Sequence, residues 1–284
     1  MKKVLVWSAV VLLSIILVHN VCRIFFFDKF VIPSDSMRPT LVAGDRIIVD
    51  KTIFGARIYK DLHFGEGIPL SSFRMHGRRC VRPGDVIAFN APLGYNDDCH
   101  LGFKINYVYC KRCIGCPGDS VGVVDGFYRN NHYEGILGVE DMQSSFSAYP
   151  DSLMKPKMFL VYPYVEEAGW DMKNFGPIYV PKAGDTLHFE DYFTIKLYSQ
   201  IVEYETGKEV EITKDKRLVV DDNEIKEYTL KNNYYYMCGD NVFSSRDSRY
   251  LGFVPEEFII GVATRVLYSK NTRGWDKSRT LKCI

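Results

Sequence analysis

An excess of charge of one sign is missing from this chain of 284 residues: 36 Lys and Arg stand against 35 Asp and Glu. With no bulk positive field, no zinc-finger spacing and no basic helix, the sequence offers nothing that would draw a polyanion, and nucleic acid is excluded as a partner. Low-complexity linkers and repeats of fixed period are missing too. None of the six histidines (His19, His63, His76, His100, His132, His188) lies in a recognisable triad motif. A hydroxyl nucleophile in this chain would need a base other than imidazole. No second long apolar run follows the one at the amino terminus.

Apolar mass is what the chain has in quantity. Hydrophobic residues make up 46% and aromatics 14% of it, enough for one sizeable core, or a core plus an inserted subdomain, and too much for disorder. After Lys2 and Lys3, Val4 to Val18 is apolar apart from Ser8 and Ser14, and Ile24 to Phe27 extends the stretch. As a helix, Val4 to Phe27 would span roughly 36 Å, against about 30 Å for a bilayer core. His19, Asn20 and Arg23 fall near its end, where polar side chains reach the interface. A cleaved secretory leader has a similar outline, but no small-x-small site follows Val18, and a retained anchor is expected. The positive-inside tendency puts residues 1–3 in the cytoplasm and everything after Phe27 outside.

Eight cysteines (Cys22, Cys80, Cys99, Cys110, Cys113, Cys116, Cys238, Cys283) are compatible with disulfides in an exported domain, with no pairing implied. The run Cys110-x-x-Cys113-x-x-Cys116 superficially matches an iron–sulfur pattern. It has no suitably spaced fourth cysteine nearby, and no metal or cofactor is expected.

Beyond the anchor the sequence reads as strands. Gly44-Asp45, Gly84-Asp85, Gly118-Asp119 and Gly184-Asp185 each precede a β-branched or aromatic run, and the irregular spacing marks a turn habit, not a repeat. Asp125-Gly126 predicts a tight hairpin. Leu218 to Val220 and Gly261 to Tyr268 read as strands; short helices are expected around Glu140 to Ser147 and Pro255 to Ile259. The expected organisation is a mainly β fold: an anchor over 4–27, a core over 28–130, an inserted subdomain over 131–231, and the rest of the core with a tail over 232–284. The tail after Ser269, with Trp275, receives no assignment.

Chemistry singles out Ser36 and Lys111. A serine hydroxyl needs a partner to remove its proton, and lysine serves if burial lowers its pKa from about 10.4 toward roughly 7–8. By strand alternation Lys111 shares a face with Tyr109 and Cys113, and Arg112 points away. For an isolated lysine an exposed edge position would be the ordinary reading; the surrounding pattern reverses it.

That pattern is Ile32-Pro33-Ser34-Asp35-Ser36-Met37-Arg38-Pro39-Thr40-Leu41 with Gly44-Asp45, then Pro83 to Phe89, then Lys111 to Asp119, then Gly239-Asp240-Asn241 and Ser245 to Pro255. In order, these resemble the boxes of bacterial signal peptidase I. The resemblance implies a signal-peptidase-like β core and a membrane-anchored serine endopeptidase that removes signal peptides after Ala-x-Ala. It also implies roles: Ser36 as nucleophile, Lys111 as general base, Ser34 with the Ser36 N–H as oxyanion hole, Ser245 orienting the lysine, and Asp247 with Arg249 as a supporting ion pair. Ile32, Pro33, Met37 and Cys110 match the substrate pocket walls. Signal peptides, membrane lipid and the translocon are the implied partners. The implied location is the bacterial inner membrane, single-pass, with the catalytic domain on the periplasmic side. Val242-Phe243-Ser244 and Cys116 depart from the family pattern, which bears on efficiency and substrate preference. A Ser/Lys self-cleaving repressor should carry a DNA-binding amino-terminal domain and a cleavable linker, where this chain has an apolar helix. A non-catalytic binding protein on the same fold would not need Ser34, Ser36, Lys111 and Ser245 together.

Overall fold

The computed structural model describes residues 2–61, 71–92, 101–154, 156–271 and 274–284. Cys99, His63 and His100 lie outside the described residues. The apolar amino terminus forms helix α1 (Lys2–Phe25), and Phe27 already starts a strand, so the helix ends two residues before the expected anchor does. Within it Val6–Phe25 has a mean hydropathy of 2.0, long and apolar enough to cross a membrane. Leu13 and Leu17 are 65% and 64% exposed, so this is not a helix buried in the globular core.

The strands that follow are β1 (Phe27–Val31), β2 (Asp45–Asp50), β3 (Arg57–Tyr59), β4 (Ser72–Arg74), β5 (Val86–Asn90), β6 (Val108–Gly115), β7 (Ser120–Val124) and β8 (Phe127–Asn130). Next come helix α2 (Glu140–Ser147), β9 (Phe175–Tyr179), β10 (Thr186–His188), helix α3 (Tyr192–Thr206), and the short strands β11 (Val210–Ile212), β12 (Leu218–Val220), β13 (Asn223–Glu224) and β14 (Glu227–Thr229). The chain closes with β15 (Tyr234–Cys238), helix α4 (Ser248–Leu251), β16 (Val254–Pro255), the long β17 (Ile259–Asn271) and β18 (Gly274–Asp276). The fold is mainly β.

One antiparallel sheet dominates, in the order β1-β2-β17-β5-β6-β15-β16, with β18 paired to β17. Register shifts in the β17 pairings with β2 and β5 and in the β15–β6 pairing bend the strands and curl the sheet. A second sheet, β8-β7-β9, stands beside it. The Gly-Asp turns have one geometry: the Gly has φ between 90° and 96° at Gly44, Gly84, Gly118 and Gly184. The Asp N–H donates to the carbonyl three residues back in each. That is a type II turn, whose third position takes glycine because side chains are strained at positive φ. Asp125 (φ 51°) and Gly126 (φ 84°) join β7 to β8 as a tight hairpin. The helix expected near Glu140 is α2, and the one expected near Pro255 is a single 3-10 turn, Glu256–Phe258.

Helix α3 was not foreseen from the sequence. Asp191 caps its start, accepting from the Thr194 N–H at 2.8 Å, and Gly207 ends it at φ 65°. Its Ile195, Tyr198, Ile201 and Val202 pack into the larger core cluster with Phe175, Tyr236 and Phe253. A separate cluster built on Ile32, Met37, Leu41, Ile47, Val86 and Ala88 lies under the loop joining β1 to β2, and that loop carries Ser36.

Candidate active site

Ser36 sits on a loop fixed from both sides. Met37 and Leu41 are 1% and 0% exposed, each worth about 1.5–3 kcal/mol of burial, and they anchor the loop from below. The Leu41 N–H donates to the Met37 carbonyl at 2.9 Å, and Ala43 N–H to the Asp35 carboxylate at 3.0 Å. The carboxy-terminal tail clamps the loop's exit: Arg279 binds Asp45 through Nε at 2.9 Å and donates from Nη2 to the Thr40 carbonyl at 2.8 Å. Burial pushes the Asp45 carboxyl up, but the Arg279 hydrogen bonds and charge outweigh it and hold the group below its usual range. The tail that the sequence left unassigned thus braces the loop that carries Ser36.

Lys111 lies on β6, the strand between β5 and β15. Alternation along β6 is as expected: Lys111 is 4% exposed, with its amine 5.6 Å from the Tyr109 ring centre. Arg112 turns to the opposite side, where it makes a fork to Asp240 at 2.7 and 2.6 Å. Lys111 Nζ stands 2.6 Å from Ser36 Oγ and 2.9 Å from Ser245 Oγ. Burial lowers its pKa, and the nearby Asp247 charge restores only part of the fall. An amine so placed, once neutral, can turn its lone pair to the Ser36 O–H and donate to Ser245.

Ser245 precedes α4, and its hydroxyl also reaches the Asp247 carboxylate. Asp247 caps α4 and is tied to Arg249 at 2.9 and 2.8 Å. Both residues are buried, at 1% exposure each. Burial pushes the Asp247 carboxyl up, but the Arg249 charge and hydrogen bonds win and hold it down. Asp247 also accepts from the Gly239 N–H at 2.8 Å, so the ion pair fixes the end of β15 against Ser245.

Gly239, Asp240, Asn241, Arg112, Thr40 and Tyr128 complete the arrangement and received no role from the sequence. A Cβ on Gly239 would fall 2.2 Å from Ser245 Oγ and 2.5 Å from the Ser36 carbonyl, so only glycine lets the segments bearing Ser36 and Ser245 approach. Asn241 holds the nucleophile loop from the other side: its N–H donates to the Ser36 carbonyl and its side chain to the Asp35 carbonyl, both at 3.1 Å. Thr40 donates to Asp240, which links the loop to Arg112, and Tyr128 donates to the Gly239 carbonyl at 2.9 Å. The signal for the three consecutive positions was their place in the Gly239-Asp240-Asn241 box.

A cleft of about 1220 Å³ opens over the pair. Ile32, Pro33, Met37 and Cys110 line it, as do Ser34, Ser36, Lys111 and Ser245. Asp247 and Arg249 stay beneath. Ser34 Oγ is 3.4 Å from Ser36 Oγ, and among the described residues the Ser36 N–H donates to no protein acceptor. The arrangement puts a hydroxyl and a buried amine at one cleft, with the Ser34 hydroxyl donating toward Ser36 Oγ. Among the described residues no group of three or more His, Cys, Asp or Glu is placed to hold a metal ion.

The family model described as signal peptidase, peptidase S26, matches residues 4–268. The chain is 26% identical over 279 residues to signal peptidase I of Buchnera aphidicola subsp. Schizaphis graminum, covering 93% of this chain and 76% of that protein. It is 28% identical over 276 residues to signal peptidase I of Rickettsia bellii, covering 95% and 75%. For signal peptidase I of Buchnera aphidicola subsp. Acyrthosiphon pisum the figures are 28% over 275 residues, 90% and 73%.

Proposed function

The chain belongs to the signal peptidase family, peptidase S26, and from that membership we propose that it cleaves signal peptides through a Ser36/Lys111 dyad. The family assignment makes it a serine peptidase, a hydrolase. The observation that carries the dyad is the 2.6 Å contact between a hydroxyl in an open cleft and an amine that is itself buried.

As Ser36 Oγ bonds to the scissile carbonyl carbon, its proton passes to the Lys111 amine. The oxygen of the tetrahedral intermediate takes up charge beside the Ser36 N–H and the Ser34 hydroxyl; losing one such donor typically costs about 2.7–4 kcal/mol of barrier. Collapse expels the leaving amine, which takes the proton from Lys111, and leaves an acyl group on Ser36. Lys111, neutral again, removes a proton from water, whose oxygen attacks the ester, and the second collapse returns the proton to Ser36. Ser245 keeps the amine aimed through the cycle, and Asp247 with Arg249 keeps Ser245 in place.

A preference for Ala-x-Ala belongs to this reading, supported by the position of Ile32, Pro33, Met37 and Cys110 in the lining of the cleft beside Ser36. On this reading signal peptides of secretory precursors are the substrates, and membrane lipid and the translocon are neighbours of the cleft, supported by the apolar helix α1 that precedes the catalytic domain. Residues 131–231 form a subdomain inserted into the core, supported by the return of the chain to β6 through β15. The catalytic domain faces the outer side of the bacterial inner membrane, supported by Lys2 and Lys3 ahead of α1.

The test is cleavage of a purified precursor carrying alanine at both recognition positions by the wild-type protein and by Ser36→Ala and Lys111→Met. Both variants are expected to lose activity to background. Processing that persists in either overturns the dyad.

A further inference from the structure

The cysteine run that the catalytic site does not absorb holds a second piece of chemistry. Cys113 Sγ and Cys116 Sγ lie 3.7 Å apart, and both cysteines are free thiols. The chain brings them together by a local irregularity: Met237 opposes Cys113 and Tyr236 opposes Gly115, so β6 carries an extra residue here. Cys116 then opens the type II turn of Gly118, with its N–H donating to Asp119 at 2.8 Å. Both thiols thereby face one apolar cluster, with Phe54, Val81, Tyr235 and Met237.

We propose that Cys113 and Cys116 are a disulfide-forming pair that closes the end of the strand bearing Lys111. The two thiols differ in access. Cys116 is half-buried and its S–H meets the Val81 carbonyl at 3.4 Å, whereas Cys113 is 0% exposed. Burial, then the neighbouring Cys116, push the Cys113 thiol well up. Those differences set an order. The Cys116 thiolate attacks the disulfide of an external oxidant, a small disulfide or a disulfide-bonded oxidoreductase, and one oxidant sulfur leaves as a thiol. Cys113 then attacks the mixed disulfide at the Cys116 sulfur, and its proton passes to the departing oxidant sulfur, which leaves as the second thiol. Two thiols and one disulfide become one disulfide and two thiols. The loop closed is short, so the effect is local. It pins the residues from Cys113 to the turn, two positions beyond Lys111, and makes that strand end harder to open. The capacity to form the bond does not depend on the peptidase reading; its occurrence in a cell rests on the catalytic domain lying in an oxidising compartment.

The experiment uses the full chain in detergent, equilibrated in buffers of reduced and oxidised glutathione, quenched with acid, unfolded and alkylated with N-ethylmaleimide, then digested. In oxidised buffer the peptide carrying Cys113 and Cys116 is expected without either maleimide and two hydrogens lighter; in reduced buffer it takes both labels. Melting should move to higher temperature on oxidation in the wild type, and the move should be absent in Cys116→Ala. Full labelling of both cysteines in every buffer overturns the proposal, as does a link from Cys116 to the neighbouring Cys80, or an equal oxidative shift in Cys116→Ala. Because these readouts need no substrate, the pair can fail while the peptidase reading stands, and the reverse.

Discussion

At the scale of single residues, burial decides the chemistry. The Lys111 amine is held below its usual pKa by desolvation, so the active form is the one above that lowered pKa. The expected outcome is that kcat/KM rises with pH through a limb below the ordinary lysine value and then levels; a limb at the ordinary lysine value would contradict a buried base. The same shift has a sign for stability. Between the lowered folded pKa and the unfolded value the unfolded chain binds a proton that the folded one does not, so raising the pH favours folding. Removing the amine removes that penalty. Lys111→Met should therefore melt higher than the wild type at neutral pH, with the gap shrinking as the pH approaches 10, as thermal unfolding across that range would show. Gly239→Ala acts by position instead: its Cβ would stand 2.2 Å from Ser245 Oγ, and a displacement of this kind should lower kcat on the order of 10²-fold with little change in KM. Ser36 and Lys111 were singled out because both sit in contiguous boxes whose residue types suggest their chemistry, and the fold brings them within 2.6 Å. Gly239 and Asp240 carried no role in the sequence because their function lies in contacts with Ser36, Thr40 and Ser245 that only the folded chain creates.

At the scale of elements, what the sequence shows best is what is locally determined. The strands after Gly44, Gly84, Gly118 and Gly184 were readable because one turn chemistry recurs, a glycine at positive φ followed by an aspartate. Gly184→Ala has open space around the new Cβ, so backbone strain alone acts. A loss of about 1–2 kcal/mol in denaturant unfolding is expected, with kcat unchanged. Helix α3 was hidden for the opposite reason. Its aromatic and β-branched residues, Tyr192, Phe193, Thr194 and Ile195, have modest helix propensity, and packing against Phe175 and Phe253 overrides it. Its ends did carry a signal, Asp191 at the start and Gly207 after the finish. Asp191→Ala removes the capping acceptor and should cost about 1 kcal/mol by the same measurement.

At the scale of the whole molecule, helix α1 bears on where the cleft stands relative to a membrane. Helix α1 leads into β1 within two residues, and the Lys51 amine donates to the Arg23 carbonyl at 2.6 Å, so the helix end is tied to the sheet whose β1–β2 loop carries Ser36. If α1 crosses a membrane, this tie couples the depth of the helix to that of Ser36 and Lys111. Charges placed in the middle of α1, as in Leu12→Arg with Leu13→Arg, cost about 2.5–3.5 kcal/mol each at a bilayer centre. They should move the protein from the alkali-resistant membrane pellet to the supernatant. Sidedness is tested separately. If Lys2 and Lys3 remain inside, protease added to intact spheroplasts should digest the chain from β1 onward, and sealed inverted vesicles should protect it. Protection in spheroplasts with digestion in inverted vesicles would place Ser36 in the cytoplasm, where exported precursors have not yet crossed, and the proposed reaction would have no substrate on its side of the lipid.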